Sequence, residues 1–499
     1  MEKFYITTPL YYVNAEPHLG HAYTNIAADT IARYMRRILG VHNVWFLTGT
    51  DEHGQKIERA ARELNLIPQE FVDKMVLKFK ELWEKLNISY DDFIRTTEPR
   101  HVKFVEKVLE ILFKKGDIYL SDYQGWYCIP CETFWTESNS DNLCPDCKRP
   151  LERIKEKNYF FRLSKYQDWL LDYIEKHPDF IKPPSRYGEV LSFLNLNRLN
   201  DLCISRPKDR LSWGIPIPFS KEHVTYVWFD ALMNYISAVG YFDDNERYIS
   251  KWWPAEIQLI GKDILRQHAI YWPIILNALG IQSPKTIFAH GWWMVGESKM
   301  SKSKGNIVSP FEVISQYSVD ALRYFLLREV SFGMDGIFSE EAILRRYNSD
   351  LANDLGNLVY RVVNMIEKYF GLQIPQEIDM KNLDDLTNKL LIKMEDLVKK
   401  EPFYLQLPAV NFNDALENIW DLINTANKYI EDKKPWILSR ENRIVELRNF
   451  VATLVKVLNK IAELISPFMP QTSNSILEQI GKNSLKKGLP LFPRIDPKY

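Results

Sequence analysis

The stretch PHLGHAYTN, residues 17–25, decides the interpretation of this sequence. It follows FYITT, residues 4–8, an aromatic and β-branched run that favours a strand. It also opens an amphipathic pattern over residues 19–39, where apolar side chains recur three and four positions apart, as in a helix. Two histidines and a glycine are therefore expected on the first turn of a helix that leaves a strand.

Such a turn suits a phosphate, because a helix start presents unpaired backbone N–H groups and a partial positive charge. His18 and His21 can donate hydrogen bonds without a permanent charge, and Gly20 lets a flat ligand approach the backbone. The sequence has no GxxxxGK[ST] loop and no GxGxxG after its first strand, so a nucleotide needs another cradle. The alternative is that these residues meet at the turn by chance.

The rest of the first half alternates between strand and helix patterns, which predicts a parallel α/β sheet. Strands are expected at 3–8, 44–48, 226–229, 257–260 and 286–289, and further helices at 71–85 and 263–279. The polar or glycine-containing breaks TGTDEHG, IGKD and AHGWW each follow a strand. Ligands bind at such carboxyl ends in open α/β sheets, so site residues are expected there.

Two changes in composition and in secondary-structure pattern along the chain suggest the domain organisation. Residues 115–225 are aromatic-rich and irregular, and from about residue 340 helix follows helix, with examples at 351–370, 412–433 and 443–465. We expect a Rossmann-type parallel-sheet catalytic domain in two halves, 1–114 and 226–345. An insertion at 115–225 splits it, and an all-helical domain follows at 346–499.

Composition narrows the classes of function. Lysine and arginine number 64 against 65 aspartate and glutamate, for a formal net charge of −1, so any nucleic-acid contact must be local rather than due to bulk basicity. The start of the sequence lacks the features of a signal peptide, and no apolar run reaches the roughly 18 residues of a membrane helix. We expect a cytoplasmic protein with no membrane partner.

Four of the five cysteines form two CxxC pairs, Cys128 with Cys131 and Cys144 with Cys147. Two such pairs at this spacing can close one tetrahedral thiolate site. Four cysteine ligands leave no open coordination position, which predicts one structural Zn²⁺ that stabilises the insertion. Two redox pairs would need two thioredoxin-like contexts, which are absent, and Cys203 is expected in the core.

A second element is GESKMSKSKGN, residues 296–306, which is lysine-rich and too polar to pack. Most lysine runs are solvated loops. A mobile loop of ammonium groups also suits a triphosphate whose charge grows on the leaving pyrophosphate.

PHLGH at the first helix and KMSKS about 280 residues later together resemble the paired signatures of class I aminoacyl-tRNA synthetases. Further stretches resemble the methionyl-tRNA synthetase family within that class, and the resemblance runs from residue 3 to the closing LFPRID. These stretches are TTPLYYVNAEPHLGHAYTNIAAD, FLTGTDEHGQKI, YVWFDALMNYI, IGKDILRQHAIYWP, FAHGWWMVGESKMSKSKGN and KKPWIL.

The resemblance implies an ATP site and an amino-acid site. His18, Gly20 and His21 would hold the adenosine and phosphates, and Lys302, assisted by Lys299, would contact the phosphates, with Mg²⁺ accompanying ATP. Methionine offers little to hydrogen-bond, so its selection must rest on shape and aromatic contact. The implied pocket residues are Leu10, Tyr12, Asp51, Trp228, Leu232, Tyr235, Ile264 and His268.

The resemblance implies that Asp51 binds the substrate ammonium. Burying an unpaired carboxylate at the end of a core strand costs free energy, so a cationic ligand is a sensible partner for it. For Trp228 and Tyr235 the alternative is ordinary core packing. In the helical region Asn353, Asn357 and Arg361 form a polar stripe, which alone is typical of a solvated helix face.

The resemblance implies instead that Asn357 and Arg361 read the anticodon and that Trp436 stacks on its first base. A tryptophan that follows a proline at a helix start suits stacking.

The resemblance implies a ligase that activates L-methionine with ATP to methionyl-adenylate and then transfers the methionyl group to the 3′ end of tRNA(Met). No appendix follows LFPRID, so a monomer is expected, and a separate tRNA-binding subunit stays open. One alternative is a class I synthetase for another amino acid. For leucine or valine the insertion is small for an editing domain, and for cysteine no active-site metal is evident. The other is a noncatalytic tRNA-binding protein, which would not need Asp51, Lys302 or the histidines.

Overall fold

A computed structural model describes residues 3–129, 142–145, 148–296, 308–375, 377–381, 383–400, 410–481 and 484–496, and the backbone alone of 133–135, 298–299 and 401–404. The chain divides into two compact units, Met1–His290 and Gly291–Tyr499. No helix among the described residues combines the length and apolar character needed to cross a membrane.

The first unit mixes strands and helices. Its strands are β1 Phe4–Thr7, β2 Tyr11–Tyr12, β3 Val44–Asp51, β4 Asp92–Arg95, β5 Ile118–Cys128, β6 Thr133–Trp135, β7 Glu152–Phe161, β8 Ile181–Lys182, β9 Leu202–Cys203, β10 Ser205–Pro207, β11 His223–Thr225, β12 Gly240–Phe242, β13 Tyr248–Ser250, β14 Ile257–Gly261 and β15 Ile287–His290. Its α-helices are α1 Leu19–Leu39, α2 Gln55–Glu63, α3 Pro68–Lys85, α4 Pro99–Lys114, α5 Gln167–Lys176, α6 Pro184–Leu196, α7 Val227–Leu232, α8 Asn234–Ser237 and α9 Trp272–Leu279. Short 3₁₀ helices cover Val41–Asn43, Leu163–Tyr166 and Lys262–Ile264, and a π-helix covers Gln267–Tyr271.

Seven strands form one parallel sheet in the order β2-β3-β1-β14-β15-β8, with β4 also paired to β3. This confirms the predicted α/β class with a parallel sheet. β1 pairs with β3 on one side and with the much later β14 on the other. The chain order therefore reverses at β1, and folds of this kind bind ligands beyond the carboxyl ends of the strands at such a point, here β1 and β14.

The sheet is covered on both faces, which explains why its strands are almost continuously apolar. Every residue of β1 is buried, and one hydrophobic cluster joins Tyr5 of β1 and Leu47 of β3 to Trp272 of α9. Each such large side chain stabilises the fold by about 1.5–3 kcal/mol on burial. The carboxyl ends of the strands are thus held on a rigid base.

The structure follows most of the predicted elements and departs from three. The helix predicted over 19–39 is α1 to the residue. The strand predicted at 226–229 is wrong: β11 ends at Thr225, and α7 begins at Val227. A short apolar run fits a buried helix as well as a strand, and here contacts from distant residues to Asp230 favour the helix. The helix predicted over 263–279 is divided into 3₁₀, π and α segments. The helix predicted over 351–370 is a π-helix up to Gly356 and an α-helix from Asn357.

The segment 115–225 contains a separate antiparallel sheet in the order β6-β5-β7-β9, in which β5 and β7 pair from Ile118 opposite Phe161 to Tyr127 opposite Glu152. The same segment also supplies β8, which pairs with β15 at the edge of the parallel sheet. The expected domain boundaries at 114, 225 and 345 stay predictions.

The second unit is mainly helical. Its described residues form the short strands β16 Trp293–Val295, β17 Ser298–Lys299 and β18 Gly336–Ile337. They also form the helices α10 Pro310–Tyr317, α11 Val319–Arg328, α12 Glu340–Arg346, α13 Asn357–Phe370, α14 Asp385–Tyr404, α15 Phe412–Lys433, α16 Pro435–Arg440, α17 Ile444–Ile465 and α18 Pro470–Ile480, with a π-helix at Tyr347–Gly356. The predicted helical C-terminal region is confirmed.

Candidate active site

The first turn of α1 is closed by its two histidine side chains. His18 is the N-cap, and its Nδ1 accepts a hydrogen bond from the backbone N–H of Gly20 at 3.1 Å. The backbone N–H of His18 donates in turn to Nδ1 of His21 at 3.1 Å, and the two rings stack with their centroids 3.8 Å apart. Because both Nδ1 atoms accept, each neutral ring carries its proton on Nε2. Each Nε2 is therefore a donor of the kind that suits a phosphate oxygen.

Gly20 has a steric role within this turn. A Cβ at this position would lie 2.9 Å from Cε1 and 3.1 Å from Nδ1 of His18. The glycine thus admits the ring of the preceding histidine, whereas the sequence predicted that it admits a ligand. The approach of a ligand to Gly20 stays a prediction.

Aromatic side chains support the His21 ring. Tyr11 meets it edge to face at a centroid distance of 5.1 Å, and Phe79 lies 5.5 Å away. The Tyr11 hydroxyl accepts a hydrogen bond from Asn25 Nδ2 at 2.7 Å, which ties this support to α1. Sequence reasoning missed Tyr11 and Phe79, because neither belongs to the PHLGH signature.

The break AHGWW after β15 also reaches α1. His290 Nε2 lies 2.8 Å from Thr24 Oγ1, and the ring of Tyr23 packs on the His290 ring with centroids 5.0 Å apart. The structure therefore joins the end of one predicted strand to the PHLGH helix. One polar side chain at the carboxyl end of a strand thus contacts the PHLGH helix, and its part in a site stays a prediction.

The break TGTDEHG places three consecutive polar side chains inside the protein. Asp51, at the end of β3, is 7% exposed and stands opposite Tyr12 of β2. The carboxylate of the next residue, Glu52, accepts two hydrogen bonds from Arg95, at 2.8 and 2.9 Å, and one from Thr97 at 2.6 Å. Such complete pairing makes a buried charge tolerable and fixes the backbone next to Asp51.

Three predicted pocket residues are linked directly. Burial lowers the pKa of His268 to about 4, so its ring is neutral near pH 7. Its Nδ1–H donates to the carbonyl of Ile264 at 2.9 Å, and its Nε2 accepts from the Tyr235 hydroxyl at 2.7 Å. The hydroxyl proton of Tyr235 is therefore used within the protein, and the phenol presents its ring and oxygen lone pairs to any neighbour.

Some of the other predicted pocket residues lie in or against the hydrophobic core, and others are partly exposed. Leu232 and Tyr235 belong to the main hydrophobic cluster, and Leu10 and Ile264 pack against it. Trp228 of α7 is only partly buried, and the ring of Tyr12 lies 5.2 Å from Lys56 Nζ. The structure thus joins Tyr235, His268 and Ile264 by hydrogen bonds and places Leu10 and Leu232 in or against the same large hydrophobic cluster.

A buried polar network near these residues was missed by sequence reasoning. Asp230 of α7 accepts hydrogen bonds from His53 Nδ1 at 2.6 Å and from His101 Nε2 at 2.7 Å. His101 Nδ1 lies 2.8 Å from the hydroxyl of Ser237. Burial alone raises the pKa of Asp230, but attraction to His53 and the hydrogen bonds from His101 and His53 hold it below its ordinary value. The only sequence signal was that His53 lies in TGTDEHG and Asp230 in YVWFDALMNYI.

Two of the four predicted zinc ligands can be placed. Cys128 at the end of β5 and Cys144 are both fully buried in one small cluster with Leu151, against which Trp126 packs. Cys131 and Cys147 lie outside the described residues, and within the described ranges no three potential ligands meet. Two thiols from separate CxxC pairs in one cluster fit the predicted tetrathiolate.

The lysine loop is largely outside the described residues. Lys302 is not described, and of Lys299 only the backbone is, in β17 opposite Met294 of β16. The predicted phosphate contacts of both lysines stay predictions.

The predicted anticodon residues lie on the helical unit and face solvent to different degrees. Asn357 at the start of α13 is exposed, and Trp436 in α16 is 52% exposed. Arg361 Nη1 lies 3.6 Å from Glu431 Oε1, near the C-terminal end of α15. Tyr360, which sequence reasoning missed, is 55% exposed beside Arg361 in the chain.

Comparison with known proteins bears on this arrangement. Residues 4–153 and 149–363 match the sequence family described as tRNA synthetases class I (M), and residues 391–497 match the anticodon-binding domain of tRNA ligases. The methionine–tRNA ligase of Clostridium tetani is 49% identical over 514 residues, covering 99% of this chain and 79% of that protein. The methionine–tRNA ligase of Thermotoga maritima is 44% identical, covering 99% and 81%.

Solved structures of methionyl-tRNA synthetase have the same fold as this chain. The Mycobacterium tuberculosis methionyl-tRNA synthetase in complex with methionyl-adenylate superimposes with a TM-score of 0.92 at 38% identity, covering 99% of this chain and 100% of that one. The apo form of the same synthetase gives a TM-score of 0.85 at 36% identity, covering 100% and 99%.

Proposed function

Because the chain belongs to the methionine–tRNA ligases of the class I tRNA synthetases, it is a ligase that joins methionine to tRNA, and we propose how its residues divide this work. The methionine carboxylate attacks the α-phosphate of ATP to give methionyl-adenylate and pyrophosphate. The terminal ribose hydroxyl of tRNA then attacks the adenylate carbonyl and releases AMP.

The observation that carries the proposal for ATP is the histidine turn of α1. The two Nε2–H groups are donors on a helix start, at the edge of the sheet where the strand order reverses. We assign the adenosine and phosphates to His18, Gly20 and His21. Since both Nδ1 atoms are held by backbone N–H groups, the two donors are oriented before ATP binds, which lowers the cost of ordering them during reaction.

The adenylation step needs positioning and charge stabilisation rather than a side-chain nucleophile. Lys302, assisted by Lys299, is proposed to stabilise charge on the leaving pyrophosphate. Mg²⁺, when bound with ATP, supplies further neutralisation of phosphate charge.

The methionine site is proposed at Leu10, Tyr12, Asp51, Trp228, Leu232, Tyr235, Ile264 and His268. Asp51 supplies the counter-charge for the substrate ammonium at the end of β3. Tyr235 donates its hydroxyl proton to His268, and His268 donates its Nδ1–H to the Ile264 carbonyl, so the pocket wall proposed for them has little to offer a polar side chain. Such a wall favours a thioether, which needs contact rather than hydrogen bonds.

The zinc site is proposed at Cys128, Cys131, Cys144 and Cys147. The burial of Cys128 and Cys144 in one cluster supports it. Zinc, when bound, supplies a crosslink between β5 and the turn that carries Cys144, and no chemistry to the reaction.

Recognition of tRNA(Met) is proposed at Asn357, Arg361 and Trp436. The exposure of Trp436 leaves a ring face for a splayed loop base, and stacking of this kind contributes about 1–3 kcal/mol per base. We further propose that the chain acts as a monomer in the cytoplasm, which sedimentation of the purified chain and fractionation of cells would test.

Pyrophosphate exchange into ATP, measured with each of the twenty amino acids and no tRNA, tests the proposed function. Methionine alone should support rapid exchange. Exchange supported equally by leucine, valine or cysteine would indicate another class I specificity. No exchange with any amino acid, from a chain that still binds tRNA, would favour the noncatalytic alternative.

A further inference from the structure

The Asp230 network has no part in the functions assigned so far, yet its members alternate with the proposed methionine-site residues along the chain. His53 follows Asp51 by two positions, Asp230 lies between Trp228 and Leu232, and Ser237 follows Tyr235 by two positions. Hydrogen bonds of 2.6, 2.7 and 2.8 Å connect His53, Asp230, His101 and Ser237 in series. The segments that supply the counter-charge and the aromatic wall are therefore joined by one buried chain of contacts.

We infer that Asp230, held between His53 and His101, is a positioning residue that sets the geometry of the methionine pocket. The inference rests on the proposed function, because it assigns the residues that Asp230 positions to methionine. It adds three side chains that touch no substrate in the assignment above.

The local backbone shows why such an anchor is needed. α7 has six residues and α8 has four, and helices this short are not stable on their own. The chain after β3 leaves the sheet at Asp51 and forms no strand until β4. Without a tertiary link, Trp228 and Tyr235 would be set by short helices, whereas His53 lies two residues beyond Asp51 at the end of β3, so the network ties these helices to the sheet.

The chemistry of the network makes it a rigid link. Asp230 and His101 are 0% exposed, and each carboxylate oxygen of Asp230 accepts a bond from a different histidine. A buried carboxylate that loses one partner is strongly destabilised, so the two bonds resist rotation of the side chain. Satisfied buried networks of this kind fix one packing arrangement.

The demand of the substrate explains why the rigidity matters. A thioether is selected by shape, so a pocket whose walls shift by a fraction of an ångström loses both affinity and discrimination. None of the hydrogen bonds that link His53, Asp230, His101 and Ser237 involves His18, Gly20 or His21 of the proposed ATP site. A loosened network should therefore weaken methionine binding more than ATP binding.

The purified full chain with Asp230→Asn tests this, because the amide keeps the shape but cannot accept from both histidines. We expect the KM for methionine in pyrophosphate exchange to rise at least tenfold, while the KM for ATP stays within about twofold. The preference for methionine over norleucine, which replaces the sulfur by a methylene, should also fall.

The matched control is Glu156→Gln. Glu156 of β7 and Arg206 of β10 form a buried pair at 3.2 Å in the first unit, and neither is a proposed site residue. This variant should lower the thermal midpoint and leave the KM for methionine and the preference over norleucine unchanged.

Two results would overturn the inference: a KM for methionine that is unchanged in Asp230→Asn, even if the thermal midpoint falls as in the control, or equal increases in both KM values. If Asp230→Asn does not fold, Ser237→Ala, which removes only the last hydroxyl of the series, should raise the KM for methionine about threefold, and no rise would contradict the inference. A wild-type chain without methionine-dependent exchange would instead refute the proposed function, before any variant is compared.

Discussion

The methionine site of the first unit and the anticodon site of the second differ in how their residues are held. Tyr235 and His268 are buried and hydrogen-bonded to each other and to the backbone, whereas Trp436 is half exposed in a short helix. Arg361 forms an ion pair with Glu431, which is itself well exposed. A small substrate needs a site that exists before it binds, while a large RNA brings enough contacts to order exposed side chains.

Because of this difference, substitutions at the two sites should affect stability and function in opposite ways. In the buried site, stability and substrate affinity should change together, because the same contacts support both. In the exposed site, tRNA charging should fall with no loss of stability, since surface substitutions usually change stability by less than about 0.5 kcal/mol.

The largest effect is expected for Asp51→Asn. Loss of the counter-charge for the substrate ammonium should raise the KM for methionine about a hundredfold, since a charged hydrogen bond contributes about 1.5–3 kcal/mol. Pyrophosphate exchange as a function of methionine concentration measures this. Asp117→Asn is the control, because Asp117 is also buried, is bonded to Lys165 and Tyr166, and is not a proposed site residue. A variant that loses stability but keeps its affinity for methionine would show that Asp51 is structural.

Gly20→Ala should have the next largest effect. The added Cβ would lie 2.9 Å from the His18 ring, so the ring must leave its cap and its donor must move. We expect kcat/KM for ATP to fall about thirtyfold, since a displacement near 1 Å can cost about a hundredfold. Gly188→Ala is the control, because a Cβ at Gly188 in α6 meets nothing within 4 Å. Equal activity of the two variants would mean that the cap is not part of the ATP site.

Trp436→Ala should reduce charging of tRNA with a CAU anticodon at least tenfold, which corresponds to about 1.4 kcal/mol. Pyrophosphate exchange and the thermal midpoint should stay as in the wild type. Tyr241→Ala removes an aromatic side chain of similar exposure from β12 and should change none of these. The wild type should discriminate against a tRNA with a changed first anticodon base, and the variant much less. Equal discrimination by both would place anticodon reading elsewhere.

A smaller effect should appear in the dependence of stability on pH. The pKa of His268 is about 4 in the folded chain, below its ordinary value of 6.5. As pH falls from 6.5 toward 4, the His268 imidazole becomes protonated in the unfolded chain but stays neutral in the folded chain. The free energy of unfolding therefore decreases. His268→Gln removes this contribution, and its thermal midpoint should fall less between pH 7 and 5 than that of the wild type. Parallel curves would contradict the neutral buried ring.

The same contrast explains what sequence alone could predict. The helix α1 and the parallel sheet follow from local periodicity and alternation, and both were predicted. The conformation of 226–229 depends on bonds from His53 and His101 to Asp230, at sequence separations of 177 and 129, which no local pattern reveals. The exposure of Trp436 agrees with its position after Pro435 at a helix start, since such a residue has few neighbours in its own helix.

The site residues show a similar division. His18 and His21 were found through their signature, but the direction of their hydrogen bonds, which fixes the proton on Nε2, needed coordinates. Tyr235 and His268 were found through resemblance, and their mutual bond explains why both are present.

The central claim is that amino-acid activation and tRNA reading rest on separate residues of the chain. It is tested most directly by measuring pyrophosphate exchange and tRNA charging in parallel on Asp51→Asn and Trp436→Ala. At methionine concentrations below the wild-type KM, Asp51→Asn should lose both activities by the same factor, and Trp436→Ala should lose charging alone. A loss of exchange in Trp436→Ala equal to its loss of charging, or normal exchange in Asp51→Asn, would contradict the account.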